Sequence, residues 1–241
     1  MDDGPAFIAV EGPIGVGKST LAHILAERMG ARLLLEPVEE NPFLPDFYRD
    51  RERYAFQTQL YFLLSRYRQQ AEILQEDLFA RGVVSDYLLI KDRMFAALTL
   101  SRQELTLYDQ LWSILGPRAP KPDLVVLLLA SVPVLLERIG RRARPYEKAM
   151  DPKYLEELIQ IYTDYFFDYN ESPLLVVDTS EIDIVNDRND LEALLAVIRE
   201  HRGGTQHYRP LGSAKTELRS GGAGSRKPSS KPGSKQARAT T

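Results

Sequence analysis

The segment Gly12-Pro13-Ile14-Gly15-Val16-Gly17-Lys18-Ser19 constrains the fold of this chain more than any other. It has the form G-x-x-x-x-G-K-[ST]. An apolar, β-rich run, Phe7-Ile8-Ala9-Val10, precedes it, and Thr20 opens a stretch with helical spacing that ends near Met29. In such a strand–loop–helix unit, glycines let successive backbone N–H groups curl around a phosphate, and the helix N-terminus adds positive potential at the same point. The pattern therefore predicts a phosphate cradle from Gly12, Gly15, Gly17, Ser19 and Thr20. Lys18 is placed to reach the β/γ-phosphates of a nucleoside triphosphate, and the Ser19 hydroxyl to meet Mg²⁺.

Five short apolar runs read as strands: Phe7–Glu11, 32–35, 83–86, Leu124–Leu129 and Leu174–Asp178. Helical patterns separate them. Such alternation predicts an α/β chain of the P-loop NTPase class, with a five-stranded parallel sheet flanked by helices. Residues 51–79 form a long helical pattern expected to break once. Ser101 and Glu104 make a capping box, Asp151-Pro152 opens a helix toward residue 169, and 191–202 is a last helix stopped by Gly203-Gly204.

Charge divides the chain. The net charge is −3, but residues 203–241 carry eight Lys/Arg and only one acid, Glu217. The preceding body is thus near −10 and the tail near +7. The Gly/Ser/Pro/Lys composition of the tail cannot bury enough apolar surface to offset ordering entropy. The expected organisation is a P-loop body over 1–203 and a disordered basic tail over 204–241. The tail reads as a solubilising extension, with at most weak contacts to nucleic acid. Cysteine is absent, which excludes disulfides, Cys-based zinc sites and thiol catalysis and suits a reducing, cytoplasmic setting. No basic segment followed by an apolar stretch opens the chain, so no secretory signal is expected. No apolar run approaches the ~18 residues of a membrane span.

In open parallel sheets, ligands sit beyond the carboxyl ends of the strands. Three acids fall there: Glu11 at the end of the first strand, Glu36 after the second and Asp86 at the end of the third. Phosphoryl transfer to an alcohol calls for a carboxylate near Mg²⁺ and a group to take the hydroxyl proton, and Asp86 and Glu36 are placed for those tasks. After the fourth strand, Arg138-Ile139-Gly140-Arg141-Arg142-Ala143-Arg144 carries four arginines in seven residues. Arginines stabilise charge spread over a phosphoryl group, and a lid bearing them would exclude water.

These motifs, with Glu36-Pro37-Val38, Gln59, Leu64-Ser65-Arg66, Asp92-Arg93 and Arg142-Ala143-Arg144 with Glu147, resemble the deoxynucleoside kinase family from about residue 7 to about residue 167. Glu39-Glu40-Asn41-Pro42-Phe43 resembles its bacterial branch. The resemblance implies that Glu36 activates the sugar 5′-hydroxyl and that Gln59 hydrogen-bonds the nucleobase. It implies that Arg66 with Asp92 helps read the base, and that Tyr48 and Glu147 hold the 3′-hydroxyl. Arg142 and Arg144 would clamp the donor phosphates, with Arg138 opening the lid. Phe62 or Phe95 could stack on the base. A homodimer packed through long helices is implied as well. One departure stands out: the family follows the acid after the third strand with arginine and serine, whereas this chain reads Asp86-Tyr87-Leu88.

The expected activity is transfer of the γ-phosphoryl of ATP, or of another nucleoside triphosphate, to a deoxynucleoside 5′-hydroxyl in nucleoside salvage, with purines favoured. A nucleoside monophosphate kinase of the thymidylate kinase type would need basic groups for the acceptor phosphate. A non-enzymatic nucleotide switch would carry an Asn-Lys-x-Asp guanine reader, which this chain lacks.

Overall fold

The computed structural model describes residues 5–76, 82–116, 119–147 and 150–210. Six parallel strands form one sheet in the order β2-β3-β1-β4-β5-β6. They are β1 Phe7–Glu11, β2 Arg32–Leu34, β3 Val83–Ser85, β4 Leu124–Leu129, β5 Leu174–Asp178 and β6 Thr205–Tyr208. Eight α-helices accompany them among the described residues: α1 Lys18–Met29, α2 Leu44–Arg49, α3 Arg51–Glu76, α4 Ile90–Thr99, α5 Arg102–Leu115, α6 Val132–Arg142, α7 Pro152–Phe167 and α8 Arg188–Glu200.

The central strands are apolar throughout because both faces are covered. Alternate side chains go to opposite sides. Ile8, Val10, Val126 and Leu128 join α1, α7 and α8 residues such as Leu21, Leu25, Leu158 and Leu194 in the larger core. Ala9, Val125 and Leu127 face the other way, against Met94 of α4 and Tyr162 and Phe166 of α7. Each such fully buried leucine contributes roughly 1.5–3 kcal/mol. Helix α7 is shared by both cores; Asp151 caps its start, the carboxylate accepting from the Lys153 N–H at 2.9 Å. The capping box of α5 is present as well: Ser101 Oγ accepts from the Glu104 N–H at 3.4 Å, and the Glu104 carboxylate accepts from the Ser101 N–H at 2.9 Å.

The sheet corrects the expected strand count from five to six. Strand β6 pairs in parallel with β5, Leu174 opposite Thr205 through Val177 opposite Tyr208. It therefore carries the sheet past residue 203, into the segment expected to be tail. Its Thr-Gln-His-Tyr side chains are largely exposed, so the strand rests on backbone pairing to an edge and leaves no apolar pattern. The rest of the expected tail, from residue 211, lies outside the described residues. Helix α3 runs unbroken to Glu76, and the expected end at 79 also falls outside them. Helix α8 begins three residues before the expected 191, where Asp187 caps the N–H groups of Asn189 and Asp190. Among the described residues no helix is long and apolar enough to cross a membrane.

Candidate active site

The loop between β1 and α1 depends on backbone that only glycine tolerates. Gly12 has φ 142°, and a Cβ there would lie 2.2 Å from the Leu128 carbonyl oxygen of β4. Gly15, at φ 84°, would drive a Cβ to 2.7 Å from Ile139 of α6. The loop is thus pressed between a central strand and the arginine-bearing helix. Glu11 braces its start. Its buried carboxylate accepts from the N–H groups of Gly12 at 3.0 Å and Leu88 at 2.5 Å, and from the Tyr162 hydroxyl at 2.9 Å. Burial raises this carboxyl above its ordinary range, against the pull of Lys91 and Lys18. Every one of those contacts is internal, so Glu11 is a structural brace.

Lys18 curls back over the loop, donating to the carbonyls of Gly12 at 2.9 Å and Pro13 at 3.0 Å. Burial, followed by the charge of Lys91, lowers its ammonium to about 8. Ser19 donates to Asp86 Oδ2 at 2.5 Å, and Asp86 Oδ1 accepts from the backbone N–H of Glu36 at 2.7 Å. A single carboxylate thereby ties the phosphate loop to the residue after β2.

Glu36 lies in a buried cluster of four charges. One of its carboxylate oxygens accepts from Arg66, and the other from Lys91 Nζ at 2.5 Å. Arg66 in turn donates to Asp92. Burial on its own would raise the Glu36 carboxyl; the charges of Arg66 and Lys91 outweigh it and hold the group well below the usual carboxylate range. The Arg66 guanidinium lies 4.9 Å from the Phe62 ring centroid, while the Phe95 ring is 5.6 Å from Lys91 Nζ. Arg66 Nε and Asp92 Oδ2 are buried with no hydrogen-bond partner. Gln59 is buried nearby on α3 and donates to Thr99 Oγ1 at 3.2 Å. Two orphaned polar atoms of opposite character, with an amide close at hand, suit a ligand edge that carries both donors and acceptors.

The arginine segment meets the site from the other side. Arg138 donates to Val16 O at 3.1 Å, Thr179 Oγ1 at 2.9 Å and Thr179 O at 2.7 Å, tying the phosphate loop to the end of β5. Ala143, at φ 55°, ends α6 in the left-handed region, a strained conformation for alanine. The resulting turn brings both neighbouring arginines onto Glu147. Arg142 donates to its buried carboxylate at 2.6 Å, and Arg144 lies 3.8 Å from it. Arg144 also pairs with Glu39 at 3.1 Å. Tyr48 stacks on Tyr146 with ring centroids 5.7 Å apart. Burial first, then the charges of Tyr154 and Glu147, raises its phenol well above the ordinary value. A cavity of about 860 Å³ opens over the phosphate loop, walled by Lys18, Ser19, Arg138, Arg142, Arg144 and the loop from Thr179 to Asn186.

The structure therefore brings Ser19, Asp86, Glu36, Arg66 and Asp92 into one chain of contacts, with Lys18 folded over the adjacent loop. Arg142, Arg144, Glu147 and Tyr48 form a second group. The sequence did not single out Lys91, although it precedes Asp92; its buried position follows from tertiary packing of α4. Arg93, paired with Asp92 in the motif, faces outward onto Asp109 at 3.2 Å.

The family model described as deoxynucleoside kinase matches residues 8–201. The chain is 38% identical over 206 residues to the deoxyguanosine kinase of Bacillus subtilis (strain 168), covering 83% of this chain and 99% of that one. It is 33% identical over 198 residues to the deoxyadenosine/deoxycytidine kinase of the same strain, covering 79% of this chain and 90% of that one. Among solved structures, deoxyadenosine kinase from M. mycoides with bound dATP superposes with a TM-score of 0.67 at 26% identity, covering 79% of this chain and 97% of that one.

Proposed function

This chain belongs to the deoxynucleoside kinase family, and from that premise we propose that it phosphorylates the 5′-hydroxyl of purine deoxynucleosides, with ATP or another nucleoside triphosphate as donor, in nucleoside salvage. The observation that carries this reading is the contact chain Ser19–Asp86–Glu36. It sets a buried carboxylate between the phosphate loop and the Arg66–Asp92 pair.

In this reading the loop glycines 12, 15 and 17, Lys18, Ser19 and Thr20 hold the triphosphate. Arg138 supports the cradle, and Arg142 and Arg144 leave Glu147 to clamp the donor phosphates. The acceptor lies with its base against Gln59, Arg66 and Asp92, between Phe62 and Phe95, and its 3′-hydroxyl at Tyr48 and Glu147. The 5′-oxygen–phosphorus bond forms as the bond from the γ-phosphorus to its bridging oxygen breaks. The nucleoside diphosphate departs with that electron pair, and the hydroxyl proton passes to Glu36. Ser19 and Asp86 offer a hydroxyl and a carboxylate, oxygen ligands of the type Mg²⁺ prefers. Mg²⁺ is usually bound by one or two carboxylates together with substrate phosphates and water. When bound, Mg²⁺ neutralises charge on those phosphates.

The hydroxyl-holding roles given to Tyr48 and Glu147 suit a neutral sugar better than the phosphate of a monophosphate acceptor. Purine preference rests on the orphaned Asp92 Oδ2 and Arg66 Nε and on the names of the relatives. A site with buried polar groups rejects a ligand that leaves them unpaired. A homodimer and a cytoplasmic setting belong to the same proposal. Leu64 on α3 and Leu107 and Ile114 on α5 stand 44–59% exposed, a surface suited to helix–helix packing with a second copy. The test is kcat/KM for the four deoxynucleosides with ATP and GTP, on wild type and Asp92→Ala. Deoxyguanosine or deoxyadenosine should lead, deoxycytidine follow and thymidine trail, and the variant should compress that order. Thymidine leading, or an unchanged order in the variant, refutes the base-reading roles.

A further inference from the structure

We propose that Lys91 is a catalytic residue, whose ammonium group moves from the Glu36 carboxylate to the non-bridging oxygens of the phosphoryl group during transfer. The inference rests on the kinase reading above.

A lysine buried to 6% exposure is unusual unless it is paired. Lys91 sits in the first turn of α4 with its Nζ 2.5 Å from Glu36 Oε2, and Glu36 is its one ion-pair partner among the described residues. That partner is joined through Asp86 to Ser19 at the head of α1. The Lys91 charge acts on Lys18 and Glu11 as well. The ammonium therefore stands where the phosphate loop and the acceptor carboxylate meet, in the region a transferring phosphoryl group must cross.

The residue after Asp86 cannot supply this cation. Position 87 is a tyrosine, fully buried against Leu34 and Val83, and its hydroxyl donates to Gln69 at 2.8 Å. Arg66 is tied to two carboxylates, Glu36 and Asp92, and is held by both. Lys91 has one carboxylate to leave and a flexible four-carbon stem on which to move. Its departure is compensated, because the incoming donor replaces one anionic partner with another. Arg66 remains on Glu36, so the carboxylate keeps a counter-charge. Lys91 gives up no proton in the step. It donates N–H hydrogen bonds to the equatorial oxygens, on which the transition state carries its charge.

The alternative is that Lys91 only positions Glu36. Single-turnover rates of Glu36→Gln, Lys91→Met and the double variant separate the two. Glu36→Gln alone tests the underlying reading, through a loss of about 10²–10⁴-fold. Lys91→Met alone should lose about 10²–10³-fold. The double variant removes one buried cation and one buried anion together, which favours its folding. If Lys91 touches the phosphoryl group, the double variant should be slower than Glu36→Gln by at least tenfold. If Lys91 acts only through Glu36, the two should agree within about threefold, and that result would overturn the proposal. Lys91→Ala gives a second reading. n-Propylammonium should restore its rate saturably while sodium at equal ionic strength does not, and the absence of rescue in the folded variant would also refute the contact.

Discussion

Replacing Arg66 with methionine should unfold this protein more readily than replacing Arg66 and Asp92 together. Arg66, Lys91, Glu36 and Asp92 form a charge-balanced group whose side chains are 0–8% exposed. Arg66→Met leaves two carboxylates against one ammonium, and Asp92, already lacking a partner on Oδ2, loses the contact on its other oxygen. Removing one member of a buried ion pair costs about 3–5 kcal/mol, because the remaining charge stays desolvated. For a chain of this length each kcal/mol corresponds to roughly 2–4 °C in melting temperature, so the single variant should melt about 6–20 °C lower. Arg66→Met/Asp92→Asn restores the balance with Glu36 and Lys91 still paired, and should recover at least half of that loss. Thermal and urea unfolding of wild type, both single variants and the double variant give the coupling energy directly. If the two single effects simply add, Arg66 and Asp92 are not electrostatically interdependent, and the argument fails. Activity is not expected to return in the double variant, which distinguishes restored folding from restored function.

Lys18→Ala should abolish phosphoryl transfer from every donor; wild-type turnover in a direct nucleotide assay would remove the loop as the donor site. Gly12→Ala should cost more stability than Gly17→Ala, by about 1–3 kcal/mol. Both glycines have positive φ, but only at Gly12 would a Cβ strike backbone, at 2.2 Å, while at Gly17 nothing lies within 4 Å; equal melting temperatures would contradict the clash argument. Truncation after residue 210 should leave melting temperature and rate unchanged, whereas truncation after residue 203 removes β6 and should lower the melting temperature by several degrees. Identical curves for the two truncations would show that β6 contributes nothing to the sheet.

The residues legible from sequence were those whose role is local. The phosphate loop is one, because its glycines answer to backbone geometry within a few positions. The central strands are another, because burial on both faces makes them apolar throughout. Strand β6 escaped notice since its residues are polar and only its backbone joins the sheet. The start of α8 was misplaced because apolar periodicity begins at Leu191, whereas the helix begins with the Asp187 cap. In the site, Glu36 and Asp86 stood out as acids at strand ends. Lys91 did not, because a lysine on a helix is ordinarily solvated and only the packing of α4 against Glu36 makes it otherwise. Nor could spacing show that Arg142 and Arg144 rest on Glu147; that contact depends on the left-handed turn at Ala143.

The polar and charged groups of the candidate site are engaged with one another: Lys18 with loop carbonyls, Ser19 with Asp86, Glu36 with two cations, Arg142 with Glu147. For a ligand in the proposed position, a contact to any of these groups is made by displacement, at the expense of an existing one. Net affinity would then be a difference between two sets of contacts, smaller than the sum of those formed. In the proposed reaction, the partners that give way on entry are at hand to reclaim their places when product leaves.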